Sequence, residues 1–132
     1  MIARYRAFGW ALGLAFQIND DLLGIWGKEQ ATGKAPSDVM HKKKTLPVIY
    51  AMEQAGPEDR ERLSALYAAS NPSPAEVTEI VELLERLGAR DYTREQARRR
   101  RDEALAELDA AGVVEPEARR RLEDIIVSVI SA

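Results

Sequence analysis

Two adjacent carboxylates interrupt an otherwise apolar run in Gln17-Ile18-Asn19-Asp20-Asp21-Leu22-Leu23-Gly24, and these residues are the best placed in the chain to do chemistry. Burying bare carboxylates is costly, so the pair needs water, a cation or hydrogen-bond donors. Gln17, Asp20, Asp21 and Gly24 recur at i, i+3, i+4 and i+7, which puts them on one helix face looking into one cleft. A divalent cation there would offset the repulsion between the two acids. Magnesium suits such a site because it keeps several waters and shares its remaining ligands with substrate phosphates.

Lys34 follows in the next loop, and Lys42, Lys43 and Lys44 open the next helix, so ammonium groups can face the carboxylates across the cleft. Lysine holds phosphate as a point charge, which makes a metal-bridged diphosphate the natural ligand. A lone Asp-Asp pair more often ends a buried segment and faces solvent. Three consecutive lysines more often form a solvated helix end, so at most one or two point inward.

The elements that must position these groups are all helices. The first is predicted over about Ile2 to Trp26, apolar on every side through its middle, as a centrally packed helix would be. A glycine-bearing loop from Gly27 to Pro36 leads to a helix from Ser37 or Asp38 through Met52, with Pro47 inside it and a kink expected near Lys43. Gly56-Pro57 starts a helix to about Ala69. Ser73-Pro74-Ala75-Glu76 is a capping box that opens a helix with Val77, Ile80, Val81, Leu84 and Leu87 at helical spacing, stopped by Gly88. A helix over Arg90 to Ala111 turns Ala97, Ala104, Leu105 and Leu108 inward. The last begins near Glu115-Pro116 and carries a one-sided stripe of Leu122, Ile125, Ile126, Val129 and Ile130. No repeat and no β-alternation intervenes, so the expected fold is all-α, an antiparallel helical array forming a single domain over residues 1–132.

Composition agrees with this reading. The chain has 132 residues, 45% of them apolar and 31% charged, which suits one helical domain with solvated outer faces. A net charge of -3 supplies no overall basic field for nucleic acid or an anionic membrane. The arginines of 98–101 and 119–121 have acidic companions at helical spacing, including Glu95 with Arg99 and Arg98 with Asp102, so solvated faces are expected there rather than a nucleic-acid surface. The uncharged run from Ala7 to Ile18 is too short to span a bilayer. With no cysteine the chain carries no disulfide framework, and a cytoplasmic location is expected. His41 is expected as an exposed helix residue.

Phe16-Gln17-Ile18-Asn19-Asp20-Asp21-Leu22-Leu23, followed by Thr32-Gly33-Lys34, Ser37-Asp38 and Lys43-Lys44-Thr45-Leu46-Pro47, resembles in order and spacing the second half of the trans-isoprenyl diphosphate synthases, the polyprenyl synthetase family. The resemblance implies an all-α isoprenoid-synthase fold around a deep cavity, with two DDxxD motifs facing each other across it. By position, Asp20 and Asp21 correspond to the family's magnesium-binding aspartates. Gln17 and Phe16 correspond to residues lining the substrate site, Lys34 and Lys43 to contacts of the allylic diphosphate, and Asp38 to an aspartate that reaches the metal through water. The implied reaction ionises an allylic diphosphate with Mg2+ and lysine drawing charge onto the leaving group. The double bond of isopentenyl diphosphate then attacks the cation, and a proton is lost, so no histidine base is needed.

The sequence departs from the family pattern in three respects. The fifth position of the motif is Gly24, which removes a carboxylate, and the first DDxxD with its following arginines is absent from these 132 residues. The end at Val127-Ser128-Val129-Ile130-Ser131-Ala132 also lacks the basic tail that many members place near isopentenyl diphosphate. The expectation is therefore half an active site: a fragment or subunit that works as a homo-oligomer or with a complementary synthase half, because the apolar first helix exceeds what the other helices cover. Two other readings remain: a non-catalytic helical interaction module of a prenyl synthase, and a fragment of a class I terpene cyclase. Thr45-Leu46-Pro47 after the lysines favours the synthase over the cyclase.

Overall fold

The structure is a computed structural model that describes residues 2–27, 36–112 and 116–129. Among the described residues every regular element is a helix: α1 (Ile2–Trp26), α2 (Ser37–Met40), α3 (Leu46–Gln54), α4 (Pro57–Ala68), α5 (Pro74–Arg86), α6 (Ala89–Ala110) and α7 (Pro116–Val129). The protein is all-α.

The predicted helix boundaries hold to within a residue or two except between Ser37 and Met52. There the expected kink is a full break, with α2 stopping at Met40 and α3 starting at Leu46. Lys42 takes a left-handed backbone conformation at φ 51°, which ends the short helix and turns the chain back so that the Lys43 N–H donates to the Asp38 carbonyl at 2.9 Å. Thr45 is extended at the N-cap position of α3, without a side-chain cap bond, and Pro47 stands in the first turn, where proline's missing N–H is no loss. A kinked continuous helix would have required Pro47 to interrupt the ladder from within.

Two compact units can be distinguished. One comprises Asp20–Thr93, and the other Met1–Asn19 with Arg94–Ala132. In the first, α5 contacts α2, α3 and α4, and α3 also contacts α4. Its core joins Ile25, Val39, Val48, Leu63, Leu66, Ile80 and Leu84. The start of α5 is fixed as expected, with the Glu76 N–H donating to Ser73 Oγ at 3.2 Å and the Ser73 N–H donating to Glu76 Oε1 at 3.0 Å. Those bonds hold the Glu76 carboxyl below its usual range. Arg62 clamps Glu79, and Arg86 clamps Asp59, each through two hydrogen bonds that tie α4 to α5. Gly88, at φ 81°, turns the chain after α5 in a conformation that favours glycine.

In the second unit Ala15, Ala97 and Ile126 form a cluster with Phe8, Leu12, Phe16, Ile18 and Leu105 packed against it. Ala97, Ala104 and Leu108 are buried and Leu105 is half-buried, as the spacing in α6 predicted. The stripe on α7 behaves differently, because Ile126 is buried while Leu122 and Ile125 are 37% and 54% exposed. Periodicity collects apolar residues on a face, but burial needs a neighbour to cover it. The side chains of Val129 and Ile130 lie outside the described residues. Arg98 and Arg99 both pair with Glu95, while Asp102 pairs with Arg101 rather than with Arg98.

Candidate functional site

The last two turns of α1 carry the carboxylate pair. Asp20 is exposed and Asp21 partly buried. One oxygen of Asp21 accepts the Leu46 N–H at 3.1 Å. That N–H belongs to the first turn of α3, where helical donors have no partner within their own helix, so a carboxylate is well matched to it by charge and by hydrogen bonding. The bond fastens the start of α3 to the aspartate pair across 25 residues of sequence.

Asp38 is buried and also packs against α1. A Cβ built on Gly24 would overlap its carboxylate, with Oδ1 2.9 Å away and Oδ2 and Cγ closer still. Asp38 Oδ1 lies 3.7 Å from Lys43 Nζ, in an ion pair whose lysine is largely exposed. The reversal at Lys42 makes this pairing possible, since it returns Lys43 to the residue that opened the turn. Tyr67, from α4, donates its hydroxyl proton to the Lys43 carbonyl at 3.3 Å. Burial, helped by the nearby Asp38 charge, pushes the Tyr67 hydroxyl up to about 12.

Asp20, Asp21, Asp38 and Lys43 thus come from α1, α2 and the connection between α2 and α3, all within one compact unit. Contacts through Leu46 and Gly24 hold the aspartates of α1 to the later segments. Phe16 and Gln17 belong to the other unit, where Phe16 packs on the apolar cluster and Gln17 is exposed. Lys34 lies outside the described residues, as do Thr32 and Gly33. His41 is exposed just past the end of α2, with Nδ1 2.9 Å from the Ser37 carbonyl.

Two features were not legible in the pattern of residue types. Tyr67 lies 24 positions beyond Lys43, in a helix for which the sequence marked only the start and the end. The Leu46 contact uses a backbone N–H, which residue identity does not reveal. Pro47, however, was a signal that a helix begins there.

Among the described residues no group of three or more acidic or histidine side chains is close enough to form a ready-made metal cage. That arrangement is compatible with magnesium, which is bound by one or two carboxylates together with water and substrate phosphates rather than by a cage of protein ligands. The Thr45 hydroxyl, next to the Leu46 donor, is buried without a hydrogen-bond partner, which leaves a polar atom beside the aspartates unsatisfied.

The sequence profile of the polyprenyl synthetases matches residues 1–84. The chain belongs to the polyprenyl synthetase family. It is 38% identical over 116 residues to the short chain isoprenyl diphosphate synthase of Methanothermobacter thermautotrophicus, a match covering 83% of this chain and 35% of that protein. It is 34% identical over 132 residues to the heptaprenyl diphosphate synthase component 2 of Geobacillus stearothermophilus, covering 98% of this chain and 39% of that one. The crystal structure of polyprenyl synthetase from Streptomyces coelicolor A3(2) matches with a TM-score of 0.81 at 39% identity, over 97% of this chain and 40% of that one. The chain therefore spans between a third and two-fifths of the length of these relatives. No helix among the described residues is long and apolar enough to cross a membrane.

Proposed function

We propose that this chain forms the half of a magnesium-dependent prenyltransferase that holds the allylic diphosphate, and that it condenses this substrate with isopentenyl diphosphate together with a complementary part carrying the first DDxxD motif. The observation that carries the proposal is the tethering of Asp21 to the start of α3 and of Asp38 to α1. It gathers carboxylates and Lys43 from segments separated in sequence.

Asp20 and Asp21 are the groups that would hold Mg2+, with Asp38 reaching it through water. When bound, the ion neutralises charge on the departing diphosphate. Lys43, largely exposed, binds a diphosphate oxygen as a point charge, and Lys34 is assigned the same part. Asp38 steadies Lys43 through their ion pair, and Tyr67 steadies the backbone that carries it. Phe16 and Gln17 line the allylic substrate. The products are a longer prenyl diphosphate and inorganic diphosphate, with the proton leaving on the latter.

A relative named as component 2 of a heptaprenyl diphosphate synthase supports the idea of a partner half. The large apolar side chains left exposed on α1 and α7, Trp10 and Ile125 among them, support it as well. The test is Mg2+-dependent incorporation of labelled isopentenyl diphosphate into dimethylallyl, geranyl and farnesyl diphosphates. It is run with the chain alone and with the N-terminal half of a family member, with Asp20→Asn as control. Turnover that requires the pairing and falls by about 100-fold or more in Asp20→Asn is expected. If no pairing gives turnover and no form binds magnesium diphosphate, the chain is a non-catalytic helical module.

A further inference from the structure

A concavity to which none of Asp20, Asp21, Asp38 and Lys43 contributes lies between α3 and α4. Its volume is about 520 Å³, inside the range of about 300–1,000 Å³ that small-molecule sites occupy. Val48, Ile49 and Met52 of α3 and the Tyr67 ring of α4 supply apolar walls, and Ile49 is 45% exposed. Polar contacts tie the two helices at both ends of this gap. At one end Arg60 donates from Nε to the Met52 carbonyl at 2.9 Å, and from Nη2 to the carbonyls of Ala55 at 3.2 Å and Glu53 at 3.3 Å. At the other, the Tyr67 hydroxyl donates to the Lys43 carbonyl at 3.3 Å. Arg60 and Tyr67 are separated by about 10 Å of helix. The two tethers fix the spacing of the helices, and the apolar walls between them stay apart.

The charges at the rim define the head group that the gap can take. Lys44 is exposed and has no ion pair or hydrogen bond among the described residues. The Arg60 guanidinium is already engaged with three carbonyls, and Glu53 adds a negative charge. Lys44 and Arg60 against Glu53 leave one net positive charge. A diphosphate would meet a single unengaged ammonium with a carboxylate nearby, whereas a singly charged anion is matched.

We propose that the gap between α3 and α4 is a binding site for a single-chain amphiphile with a monoanionic head, a medium-chain fatty carboxylate. Its tail lies along Val48, Ile49 and Met52, and its head meets Lys44. The walls make affinity depend on chain length, because each buried CH2 tightens binding by about fourfold. The stem of Lys44 covers the tail while its ammonium stays at the surface to hold the carboxylate. The assignment stands whether or not the aspartates hold magnesium.

The test is calorimetric titration of the full 132-residue chain with hexanoate, octanoate and decanoate below their micellar concentrations, in EDTA so that no metal site contributes. Affinity is expected to rise by about fourfold per CH2 along the series. Ile49→Trp fills the gap and abolishes binding, with its fold checked by circular dichroism. Lys44→Gln, a change at the surface, weakens decanoate binding by about tenfold and carries the test should Ile49→Trp unfold. Decylamine, with the same tail and the opposite charge, binds more weakly than decanoate. Absence of decanoate binding overturns the inference, and so does binding that neither variant reduces, which would place the amphiphile on another apolar face such as that around Trp10. Decylamine binding as tightly as decanoate overturns the anionic head. Farnesyl diphosphate displacing decanoate at lower concentration than decanoate itself binds overturns the single charge.

Discussion

The unit formed by Asp20–Thr93 and the unit formed by Met1–Asn19 with Arg94–Ala132 are built from the same kind of helix and stabilised differently. The first encloses large aliphatic side chains, with Ile25, Leu63, Leu66, Ile80 and Leu84 essentially inaccessible, and its ion pairs Arg62–Glu79 and Arg86–Asp59 bridge different helices. The second buries mainly alanines, Ile126 and Leu108, and most of its ion pairs join residues within a single helix. Arg119 pairs with Asp109 and so links α6 to α7. The second unit leaves Tyr5, Trp10, Leu122, Ile125 and Val127 exposed, and the first leaves Leu23, Met40 and Ile49. A core of interlocking large residues can hold a carboxylate or a turn in place. A surface with uncovered apolar groups gains stability only when something covers it.

The largest effect expected from this contrast is at Leu84. Leu84→Ala should cost about 2–5 kcal/mol in urea-induced unfolding, because the side chain is fully enclosed and its neighbours cannot all collapse into the space. A loss under 1 kcal/mol would mean that the first unit is no better packed than the second. Next, Ser73→Ala removes the acceptor for the Glu76 N–H and should cost about 1 kcal/mol, read in the same way.

Acid should then loosen the first unit more than the second. The Arg86 guanidinium holds the Asp59 carboxyl below its usual range, Arg62 does the same to Glu79, and the capping bonds do so to Glu76. A carboxyl depressed in the folded state lends stability above its unfolded pKa, about 3.9 for Asp and 4.3 for Glu, and that contribution is lost as the pH falls through the lower folded value. Amide exchange in α4 and α5 should therefore accelerate below about pH 4, and Glu79→Gln should blunt the effect. These pairs are solvent-exposed, so salt should reduce the difference.

The smallest effect should come from Ile125→Ser on α7. With the side chain 54% exposed, unfolding of the chain alone should shift by no more than about 0.5 kcal/mol. If this face meets a complementary half, the same substitution should weaken that association. A large loss of stability in the chain alone would show the face to be already covered and would erase the contrast between the units.

Much of the fold was legible because its signals are local. Glycine and proline mark the helix ends, Ser73 and Glu76 announce their own cap, and the apolar spacing of α5 and α6 fixes which faces turn inward. The aspartate pair was legible for a similar reason, since charge inside an apolar helix needs an explanation that residue type alone supplies. The break between α2 and α3 was not. It depends on a left-handed backbone at Lys42 and on the capture of the Leu46 N–H by Asp21, and the second of these is a contact across 25 residues.

Nor could residue spacing decide what covers Leu122 and Ile125, because a periodic stripe states only which side chains share a face. By itself the sequence determined an all-α chain with carboxylates at 20 and 21 and glycine at 24. Only the tertiary structure showed Asp38 lying where a side chain at 24 would be. That juxtaposition arises from the approach of two segments fourteen residues apart, and the distance between atoms on separate segments is set by packing rather than by order along the chain.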